Sequence, residues 1–136
     1  MKEGDSLPTV ERSITQERID RYAAASGDFN PVHVDQRFAA TSRFGRTIAH
    51  GMLVAATISE MLTAVFSIDW LESGRLKLRF KNPVYPGDTV VAFGKIESVS
   101  EQDGVKHVVC SVSVQRQNGE EAIKGDASII IPGLVN

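Results

Sequence analysis

Apolar and charged residues alternate strictly along one stretch of this chain, with Leu76, Leu78 and Phe80 set against Arg75, Lys77, Arg79 and Lys81. Period two is the signature of a strand with one apolar face. Residues 89–100, 105–116 and 121–131 read as three further strands. Gln102-Asp103-Gly104 and Gln117-Asn118-Gly119 lie between them and supply the residue types that tight hairpin turns need. With Asn82-Pro83-Val84-Tyr85-Pro86-Gly87-Asp88 as a turn-rich connector after the first strand, three consecutive hairpin connections predict an antiparallel sheet.

Ahead of the sheet the period is helical. After a polar lead-in with a short extended piece around Val10, Thr15 is the expected N-cap of a first helix. Ile14 and Ile19 occupy the positions of a hydrophobic staple, and Gly27 is the expected stop. Asp35 is placed to cap a short second helix that runs through Phe38 to about Thr41, and residues 42–48 form a loop carrying Arg43 and Arg46. From Gly51 to Ser67 the chain is apolar nearly all round, which predicts a helix buried on most sides. Its polar exceptions are Ser59, which shares a stripe with Met52, Ala55, Leu62 and Phe66, and Glu60. Helices first and strands after give an α+β class, a long central helix wrapped by a curved antiparallel sheet. One domain over residues 1–136 suffices, because 136 residues can bury a core without staples.

Composition narrows the function. A net charge of −2 with the signs well mixed leaves no basic stripe for nucleic acid. The apolar run at 51–67 is too short for a membrane span, and no apolar signal region follows Met1, so a soluble, cytoplasmic protein is expected. The single cysteine, Cys110, excludes an internal disulfide and reads as a small buried apolar residue. His33, His50 and His107 have no metal-ligand spacing, so neither a metal nor another cofactor is expected.

The candidate chemistry lies in Ser26-Gly27-Asp28-Phe29-Asn30-Pro31-Val32-His33-Val34-Asp35. Gly27 and Pro31 make this segment a structured turn rather than a continuous helix, and such a turn can bring Asp28 and His33 to one point. A carboxylate beside an imidazole can take a proton from water and deliver one elsewhere near neutral pH. Asp and Asn in a turn also bond their own backbone, so residue types alone leave both roles open. Further on, His50-Gly51-Met52 opens the long helix. Its free N–H groups and dipole suit an oxyanion, although any helix needs such a boundary.

Together these segments, with Phe80-Lys81-Asn82-Pro83-Val84-Tyr85-Pro86-Gly87-Asp88, closely resemble the MaoC-like, (R)-specific enoyl-CoA hydratase family, whose fold is the hot-dog. The resemblance spans nearly the whole chain. It implies reversible addition of water to a trans-2-enoyl thioester, giving the (R)-3-hydroxyacyl thioester. In that scheme Asp28 and His33 hold the water and the Gly51 N–H stabilises the enolate oxygen. Asn30 holds the loop, His50 supports the site, and Ser59 lies along the acyl tunnel or beside the water. The substrate is an acyl-CoA thioester or its acyl carrier protein counterpart, with Lys77, Arg79 and Lys81 as candidates for the coenzyme phosphates. A hot-dog thioesterase would need a carboxylate on the central helix, for which Glu60 is the one candidate; a thioester-binding subunit without activity is a third class. The apolar helix and the family's usual pairing imply a homodimer or a higher even oligomer.

Overall fold

The computed structural model describes residues 1–133. In chain order the elements are β1 (Val10–Ser13), α1 (Gln16–Ser26), α2 (Pro31–Val34), α3 (Gln36–Thr41), α4 (Gly51–Phe66), α5 (Ile68–Ser73), β2 (Arg75–Phe80), β3 (Thr89–Gln102), β4 (Val105–Arg116) and β5 (Glu121–Ile131). The five strands form one antiparallel sheet around α4, the hot-dog arrangement.

Strand order is β1-β3-β4-β5-β2, and this corrects the expectation of three hairpins. Only β3–β4 and β4–β5 are hairpins. β2 pairs with β5 at the far edge, Leu78 opposite Gly125, so residues 81–88 cross the molecule to start β3. That connector is anchored at several points. Asp88 donates no proton but accepts from Arg116 Nε at 2.8 Å, Gln117 Nε2 at 2.9 Å and the Tyr85 N–H at 2.8 Å. The Gly87 N–H donates to Ile14 and the Ile14 N–H to Asp88, tying the crossing to the start of α1.

α4 turns Val54, Ala55, Ile58, Met61, Leu62 and Phe66 into the core. They meet Val90, Ala92 and Ile96 of β3, Val108, Cys110, Val112 and Val114 of β4, and Ile123, Ala127 and Ile129 of β5. Each fully buried aliphatic side chain there contributes about 1.5–3 kcal/mol of transfer free energy, which makes this seam the main stabiliser of the fold. Burial pushes the Cys110 thiol up to about 11, with Glu97 adding to the rise, in keeping with its apolar role.

The helix is less enclosed than its composition suggested. Ala55, Leu62 and Phe66 are buried, but Met52 is 63% exposed and Ala56, Glu60, Thr63 and Ala64 also face outward. The Met52–Phe66 stripe is therefore split between core and surface. Two short helices were not anticipated. α5 follows α4 after Ser67, whose φ of 50° breaks the helical path. α2 is a single turn.

Candidate functional site

α1 delivers the chain into the site. Thr15 caps it by accepting from the Arg18 N–H, and the staple residues Ile14 and Ile19 are both buried. Gly27 ends it at φ 78°, a left-handed conformation that glycine adopts without cost, and its N–H returns to the Ala23 carbonyl. A ladder of local bonds then shapes the loop. The Asp28 N–H donates to Ser26 Oγ at 3.2 Å, the Asn30 N–H to Asp28 Oδ1 at 3.1 Å, and the Val32 N–H to Asn30 Oδ1 at 3.1 Å. Asn30 is thus the N-cap of α2 and Pro31 its first residue, where a missing N–H costs nothing. His33 accordingly stands on a helical turn, which corrects the reading of the segment as a turn without helix.

Two polar side chains that no periodicity singled out support this turn. Gln16 Nε2 donates to the His33 carbonyl at 2.8 Å, and buried Thr47 donates through Oγ1 to Gln16 Oε1 at 2.7 Å. Their role depends on contacts 17 and 31 residues apart in sequence, which local pattern does not carry.

The imidazoles are oriented by carbonyls. His33 Nδ1 lies 2.8 Å from the Ile48 carbonyl. A carbonyl only accepts, so Nδ1 carries a proton, which leaves Nε2 as the ring nitrogen open to another partner. By the same logic His50 Nε2 donates to the Asp28 carbonyl at 2.9 Å, leaving Nδ1 as a lone pair. That Nδ1 is the buried side-chain polar atom without a partner among the described residues. The His50 ring is only 2% exposed, stacked on His33 with centroids 3.9 Å apart and tilted against Tyr22 at 4.8 Å.

The candidate donor atoms of Asp28, His33 and His50 all lie within 4.8 Å of one another; the meeting of Asp28 and His33 was expected from the turn, whereas the presence of His50 beside them was not. Two hydrogen bonds of about 2.8 Å can bridge such a span through one shared water. A zinc ion is a poorer fit. It would bind both imidazoles at about 2.0–2.1 Å in the plane of each ring, whereas these rings lie face to face at an interplanar angle of 27°.

Gly51 opens α4 beside them, and its N–H has no acceptor among the described residues. A cavity of about 240 Å³ is lined by Tyr22, Ser26, Asp28, His33, His50, Gly51, Met52 and Phe80. Proton-transfer groups, a free N–H and an apolar wall thus converge. A Cβ at Gly51 would sit 2.8 Å from the Phe80 ring, so a larger residue there would have to displace that half-exposed ring.

Other candidates stay apart. Ser59 is half-buried on α4 outside that cavity, and Thr57, two residues earlier, donates to the Val54 carbonyl. Glu60 is exposed and ion-paired with Arg12 of β1. His107 is exposed on β4, and Lys77 and Arg79 are exposed on β2. Lys81 pairs with Glu121 at 2.8 Å and lowers that carboxyl below its ordinary range.

The family model described as MaoC like domain matches residues 2–118. The chain is 35% identical over 114 residues to the (R)-specific enoyl-CoA hydratase of Aeromonas caviae, covering 84% of each. It is 30% identical to the mitochondrial 3-hydroxyacyl-[acyl-carrier-protein] dehydratase of Arabidopsis thaliana, covering 98% of this chain and 80% of that protein. Among solved structures it resembles the (R)-hydratase from A. caviae involved in PHA biosynthesis, with a TM-score of 0.83, 30% identity, and 97% and 98% of the two chains covered. With the fold, the loop and the family match in agreement, this chain belongs to the MaoC-like dehydratase family.

Proposed function

We propose that this protein is an (R)-specific enoyl-CoA hydratase, adding water reversibly to trans-2-enoyl-CoA in the cytoplasm without a metal or other cofactor. The observation that carries the reading is the convergence of Asp28, His33 and Gly51 on one cavity, with the candidate donor atoms of Asp28 and His33 within 4.8 Å of each other. A water held between Asp28 and His33 attacks C3 of the enoyl group as one of its protons passes to the pair. The C2–C3 π electrons move toward C1, and the thioester oxygen takes up negative charge. The Gly51 N–H, at the positive end of the α4 dipole, stabilises that charge as it develops. Protonation at C2 by the pair then completes the addition.

Dehydration of a 3-hydroxyacyl group on acyl carrier protein is the second reading, supported by the Arabidopsis relative's name. The same groups would run that reaction in reverse. Thioester hydrolysis is disfavoured, because Glu60 lies about 13 Å along the helix from Gly51 and is held by Arg12. The test is loss of enoyl absorbance with crotonyl-CoA after dialysis against a chelator, followed by chiral analysis of the product. Undiminished activity and the (R)-alcohol are expected. Asp28→Asn and His33→Ala should each lower kcat by about 10²–10⁴. Wild-type rates in both folded variants, or metal dependence of the native enzyme, would overturn the proposal.

A further inference from the structure

A second cavity lies behind the first. It measures about 260 Å³ and is walled by apolar side chains that include Ile48, Val54, Val84 and Ile123, with Arg43 and Lys81 among its polar lining. His33, Gly51 and Phe80 line both cavities, so the two meet at the catalytic groups. Of these three, Phe80 is the one whose side chain can yield. His33 is held by the Ile48 carbonyl and Gly51 has no side chain. The Phe80 ring, in contrast, leaves 52% of the residue exposed while its edge rests against Gly51. Its backbone is fixed by pairing with Ile123 at the end of β2, and the next residue, Lys81, donates its N–H to Ala122. An anchored backbone beneath a half-exposed ring makes a wall with a fixed hinge.

We propose that Phe80 determines acyl specificity by closing the catalytic cavity off from the second, apolar cavity, so that short acyl groups fit beside the ring and longer ones must displace it. The inference rests on the hydratase reading for its substrate class. An extended acyl chain gains from burial in apolar surroundings, whereas a carrier arm brings amide groups that need polar partners. The aliphatic wall of the second cavity therefore suits the acyl end.

The experiment measures kcat/KM for trans-2-enoyl-CoAs from four to twelve carbons in wild type, Phe80→Ala, Phe80→Leu and Phe80→Trp. In parallel, calorimetry measures the affinity of saturated acyl-CoAs of the same lengths, which bind without turning over. Phe80→Ala should raise the long-to-short preference by about fourfold for each additional methylene that enters the second cavity, the worth of burying one CH₂. Phe80→Leu should give a smaller shift in the same direction and Phe80→Trp a shift toward short chains. Equal changes at every length in folded variants, in turnover and in binding alike, would overturn the partition. Absence of wild-type turnover would overturn the hydratase reading alone, because the calorimetric length profile still decides the role of Phe80.

Discussion

In the proposed reaction His50 serves the site by positioning its neighbours. Its Nε2–H holds the Asp28 carbonyl and its face supports the His33 ring, so both halves of the proposed acid–base pair rest on it. His50→Phe keeps an aromatic ring for the stack but deletes the donor. Loss of one buried hydrogen bond costs about 1–3 kcal/mol. If the loss appears as misplacement of Asp28, kcat on crotonyl-CoA falls roughly tenfold to a hundredfold with the circular dichroism spectrum unchanged. An unchanged kcat would show that the Ser26–Asn30 ladder positions Asp28 unaided. Sequence spacing made Asp28, His33 and Gly51 candidates because their neighbours Gly27, Pro31 and His50 punctuate the backbone. It did not identify the stacking of His50 on His33, nor the Gln16–Thr47 prop, because those contacts arise only when α1, α2 and the loop before α4 meet.

Among the elements, the crossing from β2 to β3 forms part of the second cavity through Asn82, Pro83 and Val84, and its geometry depends on Asp88. Burial by itself would raise the Asp88 carboxyl. The hydrogen bonds from Arg116, Gln117 and the Tyr85 N–H, together with the Arg116 charge, outweigh it and hold the group below the usual carboxylate range. A carboxyl depressed in the folded state contributes stability above its unfolded value of about 3.9, and that contribution is lost as pH falls through the folded value. Asp88→Asn should therefore lower unfolding stability by about 3 kcal/mol at pH 7, the cost of leaving a largely buried Arg116 short of its partner. Urea titrations should show the gap between wild type and variant narrowing below about pH 4; a gap independent of pH would mean that Asp88 acts through shape and not charge. The alternation of Leu76, Leu78 and Phe80 located β2, whose Leu76 and Leu78 pack against the core while Phe80 stays half exposed, but a strand's own pattern says nothing of its neighbour. Its pairing with β5 follows from the anchored crossing, an interaction between residues far apart in sequence.

At the scale of the whole molecule, several apolar groups are left facing outward. Met52 on α4, Ile68 and Leu71 on α5, and Phe80 on β2 are all more than half exposed. β2 is also an edge strand, with one row of backbone N–H and C=O groups unpaired by the sheet. Natural proteins rarely leave such an edge open, and its cations Arg75, Lys77 and Arg79 discourage indiscriminate pairing without preventing a specific one. A second copy meeting β2 across a two-fold axis would pair the edge and cover Met52 and Phe80 together, and two-fold pairing is the commonest soluble assembly. Because Met52 and Phe80 both line the cavity beside Asp28 and His33, such a partner would also close its open side. Light scattering at micromolar concentration should then give about twice the chain mass or an even multiple of it. Leu78→Pro, which places a proline in the edge strand, should shift the population toward monomer and lower kcat with it. A fully active monomer would mean that the cavity works with Met52 and Phe80 open to solvent, and that the β2 edge is protected by its charges alone.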